Sequence, residues 1–239
     1  MKTKIVIYLV VLGFMGINKS QSQDYQHFTS WNRLMFIKPL SPKIDLWVEG
    51  FYRQQNNFHY NKNNPFYSPL MRGGRVFLFY KIKNYTLGLS PIMYLKSFQL
   101  LGKKSDFEIN TNQEYRFNAF VENSQNFGKL NLRARLSYEL RYLQSLDYSP
   151  IGRFRPRLFF KYPLSKNTFI NGFEDIMLNT WPNQPSPVFN INQLYLGVNQ
   201  KLNTHLALEL GIFNNFRQRR SIVEFDNENA ISLLLQVKL

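Results

Sequence analysis

The chain has 239 residues, of which 44% are hydrophobic, 16% aromatic and 19% charged, and it contains no cysteine. This is too aromatic and too poor in charge for a disordered protein, and the missing cysteines exclude disulfides, Cys-containing zinc sites, iron–sulfur clusters and a thiol nucleophile. Thirty basic residues against 15 acidic ones give a formal charge of +15, so nucleic-acid binding has to be weighed against the rest of the chain.

Lys2 and Lys4 form a basic start, residues 5–17 are apolar, and Ser20, Gln21 and Ser22 supply small residues at cleavage spacing. The pattern predicts a secretory signal peptide over residues 1–22 and a single mature domain over residues 23–239. The apolar stretch of 13 residues falls short of the roughly 20 that a membrane helix needs. No cysteine follows it, which closes anchoring through an acylated N-terminal Cys. Export argues against nucleic acid as a partner, as does the interleaving of most arginines with apolar residues. No later stretch is apolar enough to cross as a helix, so a membrane location requires a closed barrel.

Alternation of period 2, with turn-rich breaks, predicts eleven strands at about residues 29–38, 43–54, 68–82, 85–97, 107–121, 129–144, 152–163, 168–180, 189–201, 205–216 and 229–239. The clearest segment sets Leu130, Leu132, Ala134, Leu136, Tyr138, Leu140 and Tyr142 against Asn131, Arg133, Arg135, Ser137, Glu139 and Arg141. Such a period places the two sets on opposite faces of a strand and fits no helix. Its length exceeds the about 5 to 6 residues of soluble strands and suits a membrane-spanning one. The segments near Trp31 and Phe169 alternate poorly and rest on spacing alone.

Short joins at residues 39–42, 83–84, 124–128, 165–168 and 203–204 alternate with longer ones at 54–65, 101–106, 144–152, 181–187 and 217–228. Outer-membrane barrels have this rhythm, with short periplasmic turns and longer external loops. The last strand then ends at Leu239 on the periplasmic side. Single-chain bacterial barrels have even strand numbers, so the odd count calls for adjustment. A further strand at residues 23–27 gives twelve, the favoured count, and treating the Trp31 segment as a lumenal plug or N-terminal arm gives ten. The expected fold is all-β: an antiparallel up-and-down transmembrane β-barrel of 10 to 12 strands.

Trp31, the Trp47-Val48-Glu49-Gly50 run followed by Arg53, Leu132-Arg133-Ala134-Arg135-Leu136 with Arg141, and Leu196-Gly197-Val198 leading to Leu208-Glu209-Leu210-Gly211 together resemble the exported barrel family catalogued as domain of unknown function 2490. The resemblance covers nearly the whole mature chain. It implies the outer membrane of a Gram-negative bacterium and implies no activity.

Alternation alone does not say which face is outside, because a soluble lipocalin-type barrel has the opposite arrangement. Long strands, together with Tyr52, Tyr80, Tyr85, Tyr94, Tyr138, Tyr142 and Tyr162 toward strand ends in the apolar phase, favour the membrane version. The polar phase then lines the lumen. Its expected basic ladder is Arg116, Arg133, Arg135, Arg141, Arg153, Arg155 and Arg157, joined by Arg53, Arg75, Lys81 and Lys161. The expected lumen acids are Glu49, Glu108, Glu114 and Glu139, with Asp45 and Glu209. The ladders Arg133/Arg135 and Arg153/Arg155/Arg157 are expected to meet Glu108, Glu114 and Glu139. The lumen is either a selectivity surface for anionic solutes or a side-chain network that fills a narrow barrel, and barrel size favours the network.

Chemistry-bearing motifs are sparse. His205, Glu209 and Ser232 share the polar phase, but pairing across the last loop sets Ser232 opposite about Ile212, roughly 23 Å from His205 at ~3.3 Å per residue, beyond reach for a nucleophile and its base. His27 and His59 read as ordinary surface residues, Glu174 and Asp175 point to opposite faces, and no metal-ligand spacing, phosphate loop or cofactor motif is present. Arg217, Arg219 and Arg220 crowd the last long loop, where lipopolysaccharide phosphates are candidate partners. The loop over residues 54–67, with Phe58, His59, Tyr60, Phe66 and Tyr67, suits a glycan, a surface protein or closure over the barrel mouth. The reading is a non-enzymatic structural or partner-binding barrel with a charged, largely filled lumen. A narrow anion-preferring channel and a lipid-modifying enzyme are the alternatives.

Overall fold

The computed structural model describes residues 23–57, 59–101, 106, 108, 111–181, 188–219 and 223–239, and the signal segment expected over residues 1–22 lies outside them. The described residues form eleven strands: β1 (Gln23–Ser41), β2 (Ile44–Gln55), β3 (Ser68–Ile82), β4 (Tyr85–Ser97), β5 (Asn112–Phe127), β6 (Leu130–Leu143), β7 (Pro150–Pro163), β8 (Thr168–Trp181), β9 (Phe189–Lys201), β10 (Leu206–Gln218) and β11 (Glu224–Lys238). Each strand pairs with its sequence neighbours, and β1 pairs with β11 to close the barrel.

The odd count has a geometric consequence. In an up-and-down barrel successive strands reverse direction, so the first and eleventh run the same way and must close in parallel. They do, from Gln23 opposite Glu224 to Ile37 opposite Lys238, whereas the other pairs are antiparallel. The expectation of twelve strands is therefore corrected, and so is that of ten. Residues 23–27 are the first part of β1 and not a separate strand, and the Trp31 segment is wall and not plug. β1 alternates poorly because Trp31 and Met35 put apolar groups in the phase that also holds Arg33.

Joins on one end are tight. Lys83-Asn84 links β3 to β4 with Lys83 at φ 51°, and Gly128-Lys129 links β5 to β6 with Gly128 at φ 60°. The other end carries the longer connections. Bulges in the β3/β4 and β4/β5 pairings fall near Ser90 and shift the register of β4 midway.

The two faces differ in chemistry. Leu34, Phe36, Val48, Leu78, Leu87, Leu89, Val121, Leu136, Leu196, Val198, Leu210, Ile212, Ile231 and Leu233 point outward and are exposed. This apolar area encircles the barrel and far exceeds the few hundred Å² in a contiguous patch on a soluble monomer. Tyrosines bound it. Tyr80, Tyr85 and Tyr162 lie at the short-turn end, and Tyr94, Tyr115 and Tyr148 form a chain of rings toward the long-loop end, with centroids 5.3 and 6.1 Å apart. Tyr85 and Tyr94 are roughly 30 Å apart along β4 at ~3.3 Å per residue, or about 23 Å along the axis at a ~40° tilt. That span matches the apolar band of about 25 Å in membrane barrels.

Candidate functional site: an arginine-rich lumen

The inward phase carries nearly all the buried charge. Glu49, Glu139, Asp175 and Arg153 are each no more than 2% exposed. Alternation of the strand puts them there: in β6, Arg133, Arg135, Glu139 and Arg141 face in while Leu136 and Tyr138 face out. A charge in a narrow space is stable only when paired and hydrogen-bonded, and the pairing here is dense.

Arg153 and Arg155 both pair with Glu139, and Arg155 and Arg157 both pair with Asp175, so one chain of ions runs across β6, β7 and β8. Glu114 takes Arg116 at 2.6 Å and Arg141 at 2.5 Å. Arg135 reaches Glu122 at 2.7 Å and Arg133 reaches it at 3.3 Å. Arg75 holds Glu49 at 2.6 Å, Lys81 holds Asp45 at 2.5 Å, and Arg53 pairs with Glu228.

Aromatic rings fill the space between these ions. Trp47, Phe77, Phe79 and Phe120 cluster toward the short-turn end, with Trp47 and Phe79 centroids 4.4 Å apart and Phe79 and Phe120 5.7 Å apart. A second cluster joins Trp31, Phe173, Tyr195 and Phe213, with Tyr195 4.4 Å and Trp31 4.2 Å from Phe213. Arg135 lies between the first cluster and Phe159, its guanidinium 4.0 Å from the Phe120 centroid and 4.9 Å from that of Phe159, whose ring is 5.6 Å from Phe173 of the second. Between them lies a central cavity of about 160 Å³, lined by residues from β1 to β5 and β7 to β10.

Several sequence expectations need correction. Glu108 is exposed in the stretch before β5 and belongs to no strand. Arg133 and Arg135 therefore meet Glu122, while Glu114 serves Arg116 and Arg141. Asp175 and Glu228 are further lumen acids absent from the expected set. Glu122 was hidden because β5 continues to Phe127, past the apolar band, where both faces are polar and the period of 2 vanishes.

The basic loop also comes apart. Arg217 belongs to β10 and lines the central cavity. Arg219 pairs with Asp106 at 2.8 Å and with Asp226. Burial works against its positive charge, but these two carboxylates outweigh that effect and raise its pKa. Arg220 lies outside the described residues. The candidate lipopolysaccharide cluster of Arg217, Arg219 and Arg220 is thus not one exposed patch.

His27, read as a surface residue, is buried on β1. In the candidate hydrolase constellation, Ser232 stands opposite Gly211, accepts from Arg33 at 3.2 Å and is fully buried, while His205 lies in the β9–β10 turn bonded to Thr204 at 3.0 Å. The two never meet. Phe58 lies outside the described residues, and Tyr60, Phe66 and Tyr67 are exposed between β2 and β3. Among the described residues no group of three His, Cys, Asp or Glu is placed to hold a metal ion.

No curated protein matches the chain. Among solved structures it is similar to one described as a NanC porin, at 11% identity and a TM-score of 0.49, over 84% of this chain and 93% of that one. Residues 28–226 match the profile of a family described as a protein of unknown function, DUF2490.

Proposed function

The chain belongs to the DUF2490 family of unknown function, and from that premise we propose that it is an outer-membrane β-barrel, exported by its signal peptide, with a non-enzymatic structural or partner-binding role and a lumen closed by its own side chains. The observation that carries the location is the outward apolar band bounded by tyrosines. Water would not tolerate so large an apolar surface, and a bilayer requires it. The observation that supports the closed lumen is the network joining Arg153, Arg155 and Arg157 to Glu139 and Asp175, set among aromatic clusters beside a central cavity of about 160 Å³. Arg155 is held between two carboxylates that each hold a second arginine, so moving it aside would break two ion pairs of one network.

The test has two stages. Outer-membrane fractions run boiled and unboiled are expected to show a faster SDS-resistant unboiled band, and its absence with the protein in the soluble periplasm would overturn the membrane location. The purified protein in planar bilayers is expected to give no conductance steps approaching those of a 16-stranded porin run beside it. Such steps would overturn the closed lumen.

A second reading, the narrow anion-preferring channel, draws on the eight arginines that line the central cavity. It would give small steps with a reversal potential set by the anion gradient. A lipid-modifying enzyme finds no support in the placement of Ser232 and His205.

A further inference from the structure

The central cavity has a charge imbalance that a purely structural lumen does not need. Among the described residues eight arginines line it, and Glu49 is its one acidic lining residue. Seven of the eight arginines pair with only six carboxylates: Glu49, Glu114, Glu139, Asp175, Glu209 and Glu228. Including the neighbouring Arg141, Arg219, Asp106 and Asp226 leaves the same excess of two positive charges.

The excess has an address. Arg217 lines the cavity and makes no ion pair among the described residues, because Asp226, opposite it in register, is taken by Arg219. Arg53 and Arg155 line the same cavity, on residues no more than 9% exposed. Arginine does not give up its proton in proteins, so this charge cannot be removed by titration. It must be met by water or by an anion, and a guanidinium fork favours an acceptor with several oxygens.

Apart from Gln193 and Asn215, the remaining lining is apolar. Met71, Met93, Leu95, Met177, Ile191 and Phe173 face the same space. A cavity of about 160 Å³ is close to the roughly 150 Å³ that accommodates benzene in an apolar protein interior. Methionines adapt to irregular ligands, while the planar arginine fork matches carboxylate and phosphoryl groups.

We infer that the central lumen cavity is a binding site for a small organic oxyanion, with its carboxylate or phosphoryl head on Arg217 and the neighbouring lining arginines, and its apolar body among Met71, Met93 and Met177. The site goes beyond the structural role proposed above. It stands whether or not the barrel conducts, since binding is read in solution and conductance in a bilayer.

The test is calorimetric titration of the full protein in neutral detergent micelles with benzoate, phenyl phosphate, inorganic phosphate and methyl benzoate. Benzoate or phenyl phosphate is expected to bind, each at least tenfold more tightly than inorganic phosphate, and the neutral ester not to bind. The better of the two acids identifies the head group. Arg217→Gln strands no carboxylate and is expected to weaken binding at least tenfold while keeping the SDS-resistant band. Met71→Phe fills the apolar side without touching a charge and is expected to abolish binding. Failure of both acids to bind, equal binding of methyl benzoate, equal binding of inorganic phosphate, or unchanged affinity in both variants would overturn the assignment.

Discussion

Arg53 on β2 pairs with Glu228 on β11 by reaching across β1, which lies between them in the wall. Thr29 of β1 donates to the same carboxylate oxygen at 2.7 Å, so three strands converge on one acid at the point where the barrel closes. Parallel pairing is slightly weaker per residue than antiparallel pairing, and the seam is where a side-chain staple adds most. Removing one partner of a buried pair costs roughly 3–5 kcal/mol, whereas replacing both with apolar groups costs much less. Arg53→Met and Glu228→Met are expected to lower the temperature at which the unboiled band is lost, and the double variant to recover part of the loss. Simple additivity would show that the two residues do not act as a unit.

Asp175 and Glu174 are chain neighbours on opposite faces of β8. Asp175 is fully buried in the lumen between Arg155 and Arg157, while Glu174 faces outward and accepts from Asn192 at 3.2 Å. Asp175→Asn removes the charge that holds two guanidinium groups and is expected to cost about 3 kcal/mol or more. Glu174→Gln keeps an acceptor for Asn192 and is expected to stay within about 0.5 kcal/mol. Urea unfolding of both variants in detergent checks the contrast. Similar losses would mean that the lumen phase of β8 is misassigned.

The wall was legible in the sequence where its two faces differ. β6, β7 and β9 stand within two residues of their expected ends because apolar side chains meet lipid on one side and charged ones meet the lumen on the other. Legibility fails in two places, each for a physical reason. Beyond the apolar band, as at Glu122 to Phe127 in β5 and Glu224 to Glu228 in β11, both faces are polar and a strand looks like a loop. Where the lumen is packed with rings, as at Phe169 and Phe173 in β8 or Trp31 in β1, both faces are apolar and the alternation disappears. The lumen arginines follow directly from periodicity, but their partners do not. An ion pair between β2 and β11 depends on a closure that the local pattern does not encode.

Tyr195 lies across two glycines. A Cβ at Gly197 would stand 2.2 Å from its hydroxyl oxygen and one at Gly211 2.4 Å from it. The hydroxyl donates to Glu209 at 2.6 Å, which fixes the ring over the bare backbone of β9 and β10. Gly211→Ala is therefore expected to destabilise by about 1–3 kcal/mol through overpacking. Tyr195→Leu in the same background removes the clash and is expected to return part of the loss, which a thermal melt followed by the unboiled band would detect. No loss in Gly211→Ala would place the ring elsewhere.

The short-turn end of the lumen is where the closed reading is most exposed to test. Phe79 and Phe120 pack with Trp47, and Arg135 is held over Phe120 while its Nε and Nη2 donate to Glu122 at 2.9 and 2.7 Å. Truncating Phe79, Phe120 and Arg135 together to Ala removes two rings of that cluster and the guanidinium that spans Phe120 and Phe159. Arg133 still pairs with Glu122, so that acid is not left alone. The outer face is untouched, and the variant is expected to keep its SDS-resistant band while losing some stability from the lost packing. In planar bilayers it is expected to conduct where the unaltered barrel does not, with a preference for anions, because the arginines above the opening remain. If the unaltered barrel and the variant conduct equally, the aromatic layer is not the barrier and the lumen is open by another route. If neither conducts, the ion network above the rings closes the barrel by itself, and Arg155→Ala added to the variant is expected to open it.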